Sequence, residues 1–197
     1  MDGVTWVVLG VVLVALFWAV GAYNRLVRLK NAIANAFGQI DVQLKRRHDL
    51  VPNLVEVARK YLAHESETLE AVIAARNQAH TAEQTAAASP LNAGALGALA
   101  GAEQALGGAL GRLFAVAEAY PDLKADQTMR ELSEEIASTE NRIGFARQAY
   151  NDHVLEFNDS AAQFPTLLIA RVFAFVSLPM LESTTSEAER QPVKVAF

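Results

Sequence analysis

Residues 4–23 form a run of 20 positions without one charged side chain. As a helix rising ~1.5 Å per residue, such a run crosses the ~30 Å hydrocarbon layer of a bilayer. Directly after it the pattern becomes a stripe. Leu26, Leu29, Ile33, Phe37, Ile40 and Leu44 step by three or four, which draws one face of a helix. The stripe resumes at Val51, Val55, Ala58 and Leu62, then at Leu69, Val72 and Ile73. Pro52 lies within it, lacks a backbone donor and clashes with the preceding turn. Residues 49–53 are therefore a turn or a sharp kink; the unbroken phase across Pro52 favours a kink, but a turn is preferred, because two antiparallel helices can bury their stripes on each other. Periodicity fades after Ala79, and residues 81–111 are rich in Ala, Gly and Ser, with Ser89-Pro90 as the sharpest breaker. A third stripe runs through Leu99, Ala102, Leu106, Leu110, Leu113, Ala117 and Tyr120. Its glycines at 101, 107, 108 and 111 each weaken a helix by about 1 kcal/mol relative to Ala. The fourth stripe is the most regular: Met129, Leu132, Ile136, Thr139, Ile143, Ala146, Tyr150, Val154, Phe157, Ala161 and Phe164, ended by Pro165. It is the seam of a coiled coil or long bundle helix. No segment alternates with a period of two, so no sheet is expected.

Charge adds a topology. Trp6 lies near one end of the apolar run and Trp18 and Tyr23 near the other, as interfacial aromatics do. Arg25, Arg28 and Lys30 follow the run, and no Lys or Arg precedes it. The positive-inside rule then predicts a single-pass protein, N-terminus outside and the rest cytoplasmic. A signal peptide would carry a basic flank before a shorter apolar core, whereas only Asp2 stands there. An uncleaved anchor is expected despite the small-residue stretch Val20-Gly21-Ala22. Residues 25–47 hold six Lys/Arg against Asp41 alone, a net of +5, while residues 48–197 hold eleven against twenty acids, a net of −9. Basic character thus concentrates where lipid headgroups would favour it. The chain as a whole carries −5, which argues against a nucleic-acid partner.

The search for chemistry yields little. The chain has no Cys, which excludes disulfides, thiolate metal sites and Cys nucleophiles. His64-Glu65 starts a zinc-protease motif but lacks the second His, and none of the four histidines has Glu three positions before it, as a di-iron bundle requires. No nucleophile elbow, phosphate loop or dinucleotide fingerprint occurs. The reading is non-enzymatic, with no catalytic residue, no cofactor and no metal ligand assigned. Polar residues within the long helices draw more notice: Gln39, Asp41, Gln43, Asn53, Asn141, Asn151 and Asn158. In a bundle, a buried amide fixes register or partner, because leaving it unpaired is costly. Glu140 beside Asn141-Arg142, and Asp41 beside Lys45, suit inter-helix polar networks.

Three stretches resemble the LemA family of bacterial membrane-anchored proteins. They are YNRLVRLKNAIANAFGQIDVQLKRRHDLVPNLVE at 23–56 with His64-Glu65 and Thr68-Leu69-Glu70 behind it, AVAEAYPDLKAD at 115–126, and TENRIGFARQAYNDHVLEFN at 139–158 with Phe164-Pro165 after it. The resemblance covers residues 22–166, is looser across 86–108, and departs after Val176. It implies an all-α fold: one N-terminal transmembrane helix continuing into an up-and-down four-helix bundle, with no active site carried over. The expected organisation is an anchor at 1–24, a bundle at 25–165, and a juxtamembrane segment with a polar tail at 166–197.

The functional expectation is a membrane-tethered scaffold or adaptor that contacts membrane lipid, self-associates and has room for a membrane-protein partner. The alternative is an accessory subunit of a membrane enzyme, such as a zinc metalloprotease in envelope quality control. Self-association is expected because a fourth helix over 126–164 would be ~58 Å long, against ~37 Å for a first helix over 26–50. Its excess seam would need cover, and Ala15, Ala19 and Ala22 offer a close-packing face within the bilayer. Residues 166–181 are apolar apart from Arg171 and a few hydroxyls, too short for a span. They are expected to lie in the headgroup layer, Arg171 snorkelling and Phe173 and Phe175 inserted, or to pack back on the bundle. The polar run 182–191 is expected to be mobile or ordered by a partner.

Overall fold

The computed structural model describes residues 2–181; the polar run after 181 lies outside them. Helix α1 runs unbroken from Gly3 to Arg59. It is followed by α2 (Ser66–Ala88), α3 (Ala93–Ala117), the single turn α4 (Pro121–Ala125), α5 (Gln127–Ala162) and the short α6 (Thr166–Val172). The fold is all-α, and no strand occurs among the described residues. The four long helices α1, α2, α3 and α5 make the bundle, with α5 packed along α1 and α2 paired with both α1 and α3.

The predicted turn at 49–53 does not form, and its absence has a physical cause. Proline at position 52 deprives one carbonyl of its helical donor, that of His48 four residues before. Arg76 of α2 supplies the missing donor: its Nε donates to the His48 carbonyl oxygen at 3.0 Å. A neighbouring helix thus satisfies the orphaned group, and α1 continues with Val51, Leu54 and Val55 in the core. The expected second stripe is therefore divided: Val51, Val55 and Ala58 belong to α1, the chain turns at 60–65, and Leu69, Val72 and Ile73 belong to α2. The Ala-rich stretch after Ala79, where periodicity fades, continues α2 as a helix to Ala88. The chain turns again at 89–92, and Asn92 caps α3 by accepting from the Ala95 N–H at 3.0 Å. Asp126 caps α5 likewise, accepting from the Met129 N–H at 2.9 Å.

A 57-residue α1 is ~86 Å long, against ~54 Å for α5. Beyond the apolar run, residues 25–59 of α1 rise ~53 Å, so the expected mismatch between the two bundle helices disappears. Most of the α5 seam is buried within the chain, including Met129, Ile136, Thr139, Ile143, Tyr150, Val154, Phe157 and Ala161. An excess apolar seam therefore supplies no argument for a second copy.

The interior is divided. A distal core gathers Leu50, Val51, Leu54, Leu62, Leu69, Val72, Leu106, Leu113, Leu123 and Met129. A proximal core, next to the apolar run, gathers Leu26, Ile33, Phe37, Ile40, Leu44, Leu99, Ile143, Tyr150, Val154 and Phe157. α6 packs on α5 and α1, and the chain after it turns back along α5. Residues 3–18 of α1 are exposed, and this helix is long and apolar enough to cross a membrane. Span and bundle share one helix, with no break at 24–25.

Candidate functional site: an ionic belt between two cores

Between the two cores lies a layer of charged side chains from all four long helices. From α1 come Asp41, Lys45, Arg46, Arg47 and His48. From α2 come Arg76, His80 and Glu83, from α3 Glu103, and from α5 Glu135 and Glu140. Five of these positions decide its character. Arg47, His48, Glu83 and Glu103 are buried, with His48 and Glu83 at 0% exposure, and His80 is half-buried. Charges so placed must be paired, because desolvation of an isolated one costs several kcal/mol.

One half of the belt is closed by pairing. The Glu103 carboxylate accepts from Arg47 Nη1 at 3.2 Å and pairs with His48 Nε2 at 2.7 Å. Arg47 Nη1 also pairs with Glu140 Oε2 at 2.6 Å, so one guanidinium joins α1, α3 and α5. Its neighbour Arg46 reaches Glu135 from the exposed side.

The other half is less complete. Lys45 Nζ lies 2.6 Å from Asp41 Oδ2 and 3.6 Å from Glu83 Oε1. His80 Nδ1 lies 3.2 Å from Glu83 Oε2, and the rings of His48 and His80 meet edge to face at 5.8 Å. Burial, then the Asp41 carboxylate alongside, pushes Glu83 up to about 7. Burial acts to raise Asp41 as well. Its contacts with Glu83 and Lys45 outweigh that and hold it below the usual carboxylate range. Burial and the Arg76 charge lower His80. His48, His80 and Glu83 are the residues here with ligating atoms in reach of one another, all within 4.8 Å.

The assigned positions fall in three places. Trp6, Trp18, Tyr23, Arg25, Arg28 and Lys30 lie along and just after the apolar run and are exposed. Asp41 enters the belt, Gln43 is half-buried, and Gln39, Asn53 and Asn141 face outward. Asn151 and Asn158 act on the returning tail. Asn158 donates to the Leu178 carbonyl and accepts from its N–H, both at 2.9 Å. Asn151 does the same for Leu181 at 2.7 and 2.8 Å. The tail brings Phe175 against Phe157 and Tyr23, while Phe173 stacks on Tyr23 at 4.7 Å and stays 55% exposed. Arg171 is exposed.

Sequence reasoning missed His48, His80, Glu83 and Glu103. A signal for two of them was present. Glu103 occupies a core step of the third stripe, between Leu99 and Leu106, and Glu83 lies between the buried Ala79 and Ala86. A carboxylate at such a position is one that a partner helix must neutralise.

Comparison with known proteins gives a family. The model of the LemA family matches residues 36–197. The protein named LemA of Metamycoplasma hominis is 29% identical over 177 residues, 90% of this chain and 75% of that one. Magnetosome protein MamQ 2 of Paramagnetospirillum magneticum is 26% identical over 168 residues, and MamQ of Magnetospirillum gryphiswaldense 24%. Each MamQ alignment covers 78% of this chain, which spans 62% of the MamQ proteins' length.

Proposed function

The chain belongs to the LemA family, and we propose that it is a non-enzymatic, membrane-tethered scaffold that self-associates through the outer face of α3. The observation that carries this reading is a ridge of glycine. Gly97, Gly101, Gly108 and Gly111 recur at steps of three, four or seven on one face of α3, with Gln104 between them. A methyl group built on any of the four glycines meets no other atom within 4 Å. Each glycine costs the helix about 1 kcal/mol relative to Ala, and no contact among the described residues requires it. A ridge of four glycines over ~21 Å, interrupted by the exposed Gln104 side chain, lets a second helix backbone approach closely on either side of it. The single anchor, continuous with α1, would hold every copy in the same orientation. The one-sided flank of Arg25, Arg28 and Lys30 supports a cytoplasmic bundle, and exposed Trp6 and Trp18 support lipid contact at the two faces of the membrane.

The test replaces all four glycines by alanine in the full chain. The variant is expected to melt at a higher temperature, because its α3 is a better helix. In mild detergent, light scattering is expected to find it monomeric where the parent is oligomeric. A monomeric parent, or an oligomer untouched by the four alanines, overturns the reading.

A further inference from the structure

We propose that His48, His80 and Glu83 form a binding site for a divalent transition-metal ion that ties α2 to α1 within the ionic belt. The inference is independent of whether α3 self-associates. It starts from three ligating atoms on two helices, within 4.8 Å of one another. Ligation at ~2.0–2.2 Å in a tetrahedron sets such atoms about 3.4 Å apart. The approach needed is a side-chain adjustment, and half-buried His80 has the freedom to make it.

The surroundings of the three groups bear on a cation differently. His48 Nε2 is engaged by Glu103 at 2.7 Å, which fixes the proton on that nitrogen. Its Nδ1, buried and without a hydrogen-bond partner, keeps its lone pair. His80 differs: its Nε2 accepts from the Gln84 side-chain N–H at 3.0 Å, so its proton lies on Nδ1, 3.2 Å from Glu83 Oε2, and an incoming cation takes the place of that proton. A carboxylate behind an imidazole, as Glu103 stands behind His48, is the usual device that orients a metal-binding histidine and sets its tautomer. Glu83 is the third member. It is 0% exposed, and the cationic groups about its carboxylate are His80 at 3.2 Å and Lys45 at 3.6 Å. A buried carboxylate held by contacts this long, beside the Asp41 carboxylate, is expensive, and a bound cation removes that cost. Asp41 Oδ1, buried beside Glu83, adds a further oxygen.

Two imidazoles with carboxylate oxygen favour Zn2+ and its neighbours over Mg2+ or Ca2+, which take oxygen ligands. The competitor is internal. The Lys45 ammonium lies 3.6 Å from Glu83 and is 51% exposed, so it can withdraw to solvent when an ion enters. Lys45 is thus the residue that sets how tightly the site binds.

The experiment uses untagged full-length protein, stripped with chelator and titrated with Zn2+ by calorimetry, with Co2+ absorption reporting the ligand geometry. One equivalent of Zn2+ is expected to bind. His80→Gln and Glu83→Gln are each expected to weaken binding at least about tenfold, while His64→Gln, at an exposed histidine outside the belt, is unchanged. Lys45→Met keeps every ligand and is expected to bind Zn2+ more tightly, which keeps the test decisive should a ligand variant misfold. No binding by the parent, undiminished binding by folded His80→Gln and Glu83→Gln, or an unchanged Lys45→Met, each overturns the proposal.

Discussion

The distal and proximal cores are built from the same four helices yet are closed differently. The distal core is capped by chain turns. Leu62 follows the end of α1, and Leu123 of α4 closes the passage from α3 to α5, both fully buried. The proximal core cannot be closed by a turn of α1, because α1 leaves it toward the apolar run. A returning tail closes it instead, held by Asn151 and Asn158 and packed through Phe175. Between them the belt replaces apolar packing with pairing. Apolar contact is indifferent to which residue it meets, whereas a buried charge accepts few partners. The belt therefore fixes the register of α1, α2, α3 and α5, and the cores supply the bulk of the burial.

The largest effect should come from cutting the belt at Arg47. Arg47→Met leaves buried Glu103 with His48 as its one remaining partner, and breaking a buried pair costs about 3–5 kcal/mol. The adjacent Arg46 is the control. It pairs with Glu135 from a side chain that is 57% exposed, and its loss should change stability by about 1 kcal/mol or less. Urea unfolding of the two variants, side by side, measures the contrast. Equal effects would mean that the belt is an ordinary solvated surface and not the layer that aligns the helices.

That pair also shows what a sequence conveys. The two arginines are neighbours in the basic run Lys45-Arg46-Arg47, and one of them is buried. Arg47 occupies a step of the apolar stripe between Leu44 and Val51 and Arg46 does not, but the charge that neutralises Arg47 comes from Glu103, 56 positions away, which no local pattern names. Apolar stripes are legible without such a partner. Their period is a property of the helix itself, so the seam through Met129 to Ala161 was readable without knowing its neighbours. Pro52 misleads by the same logic as Arg47. A proline breaks a helix when its orphaned carbonyl goes unsatisfied, and here Arg76 of another helix satisfies it. The Ala-rich end of α2 carried too weak a periodic signal to be read, since alanine is as common on its buried as on its exposed face.

A smaller effect, confined to one core, should follow from releasing the tail. Asn158→Ala removes both hydrogen bonds to Leu178, and at ~0.5–1.5 kcal/mol each the loss should be about 1–3 kcal/mol of local stability. Hydrogen exchange should quicken at Leu178 and Phe175, while amides of Val51, Leu54 and Leu106 in the distal core keep their protection. Equal loss of protection in both cores would show that they unfold as one unit and that the belt does not separate them.

The smallest expected effect has the opposite sign and acts where the tail begins. α6 ends with the Phe175 N–H bonded to the Ala170 carbonyl at 2.9 Å and the Ala174 N–H bonded to that of Arg171 at 3.3 Å. This is the helix ending that wants a left-handed residue at the position Ala174 holds, and Ala174 does have φ of 53°. An alanine there bears a strain of about 1 kcal/mol or more that glycine avoids, while glycine loses more backbone entropy on folding. Ala174 is exposed, so its methyl group contributes little packing. Ala174→Gly should therefore stabilise the proximal core by about 0.5 kcal/mol, and Ala174→Val, β-branched, should destabilise it. Exchange at the Phe175 amide, whose hydrogen bond depends on this turn, reads both changes. Slower exchange in the glycine variant and faster exchange in the valine variant is the expected order. The reverse order would mean that the strap is set by its asparagine clamps alone and that the turn at Ala174 merely follows.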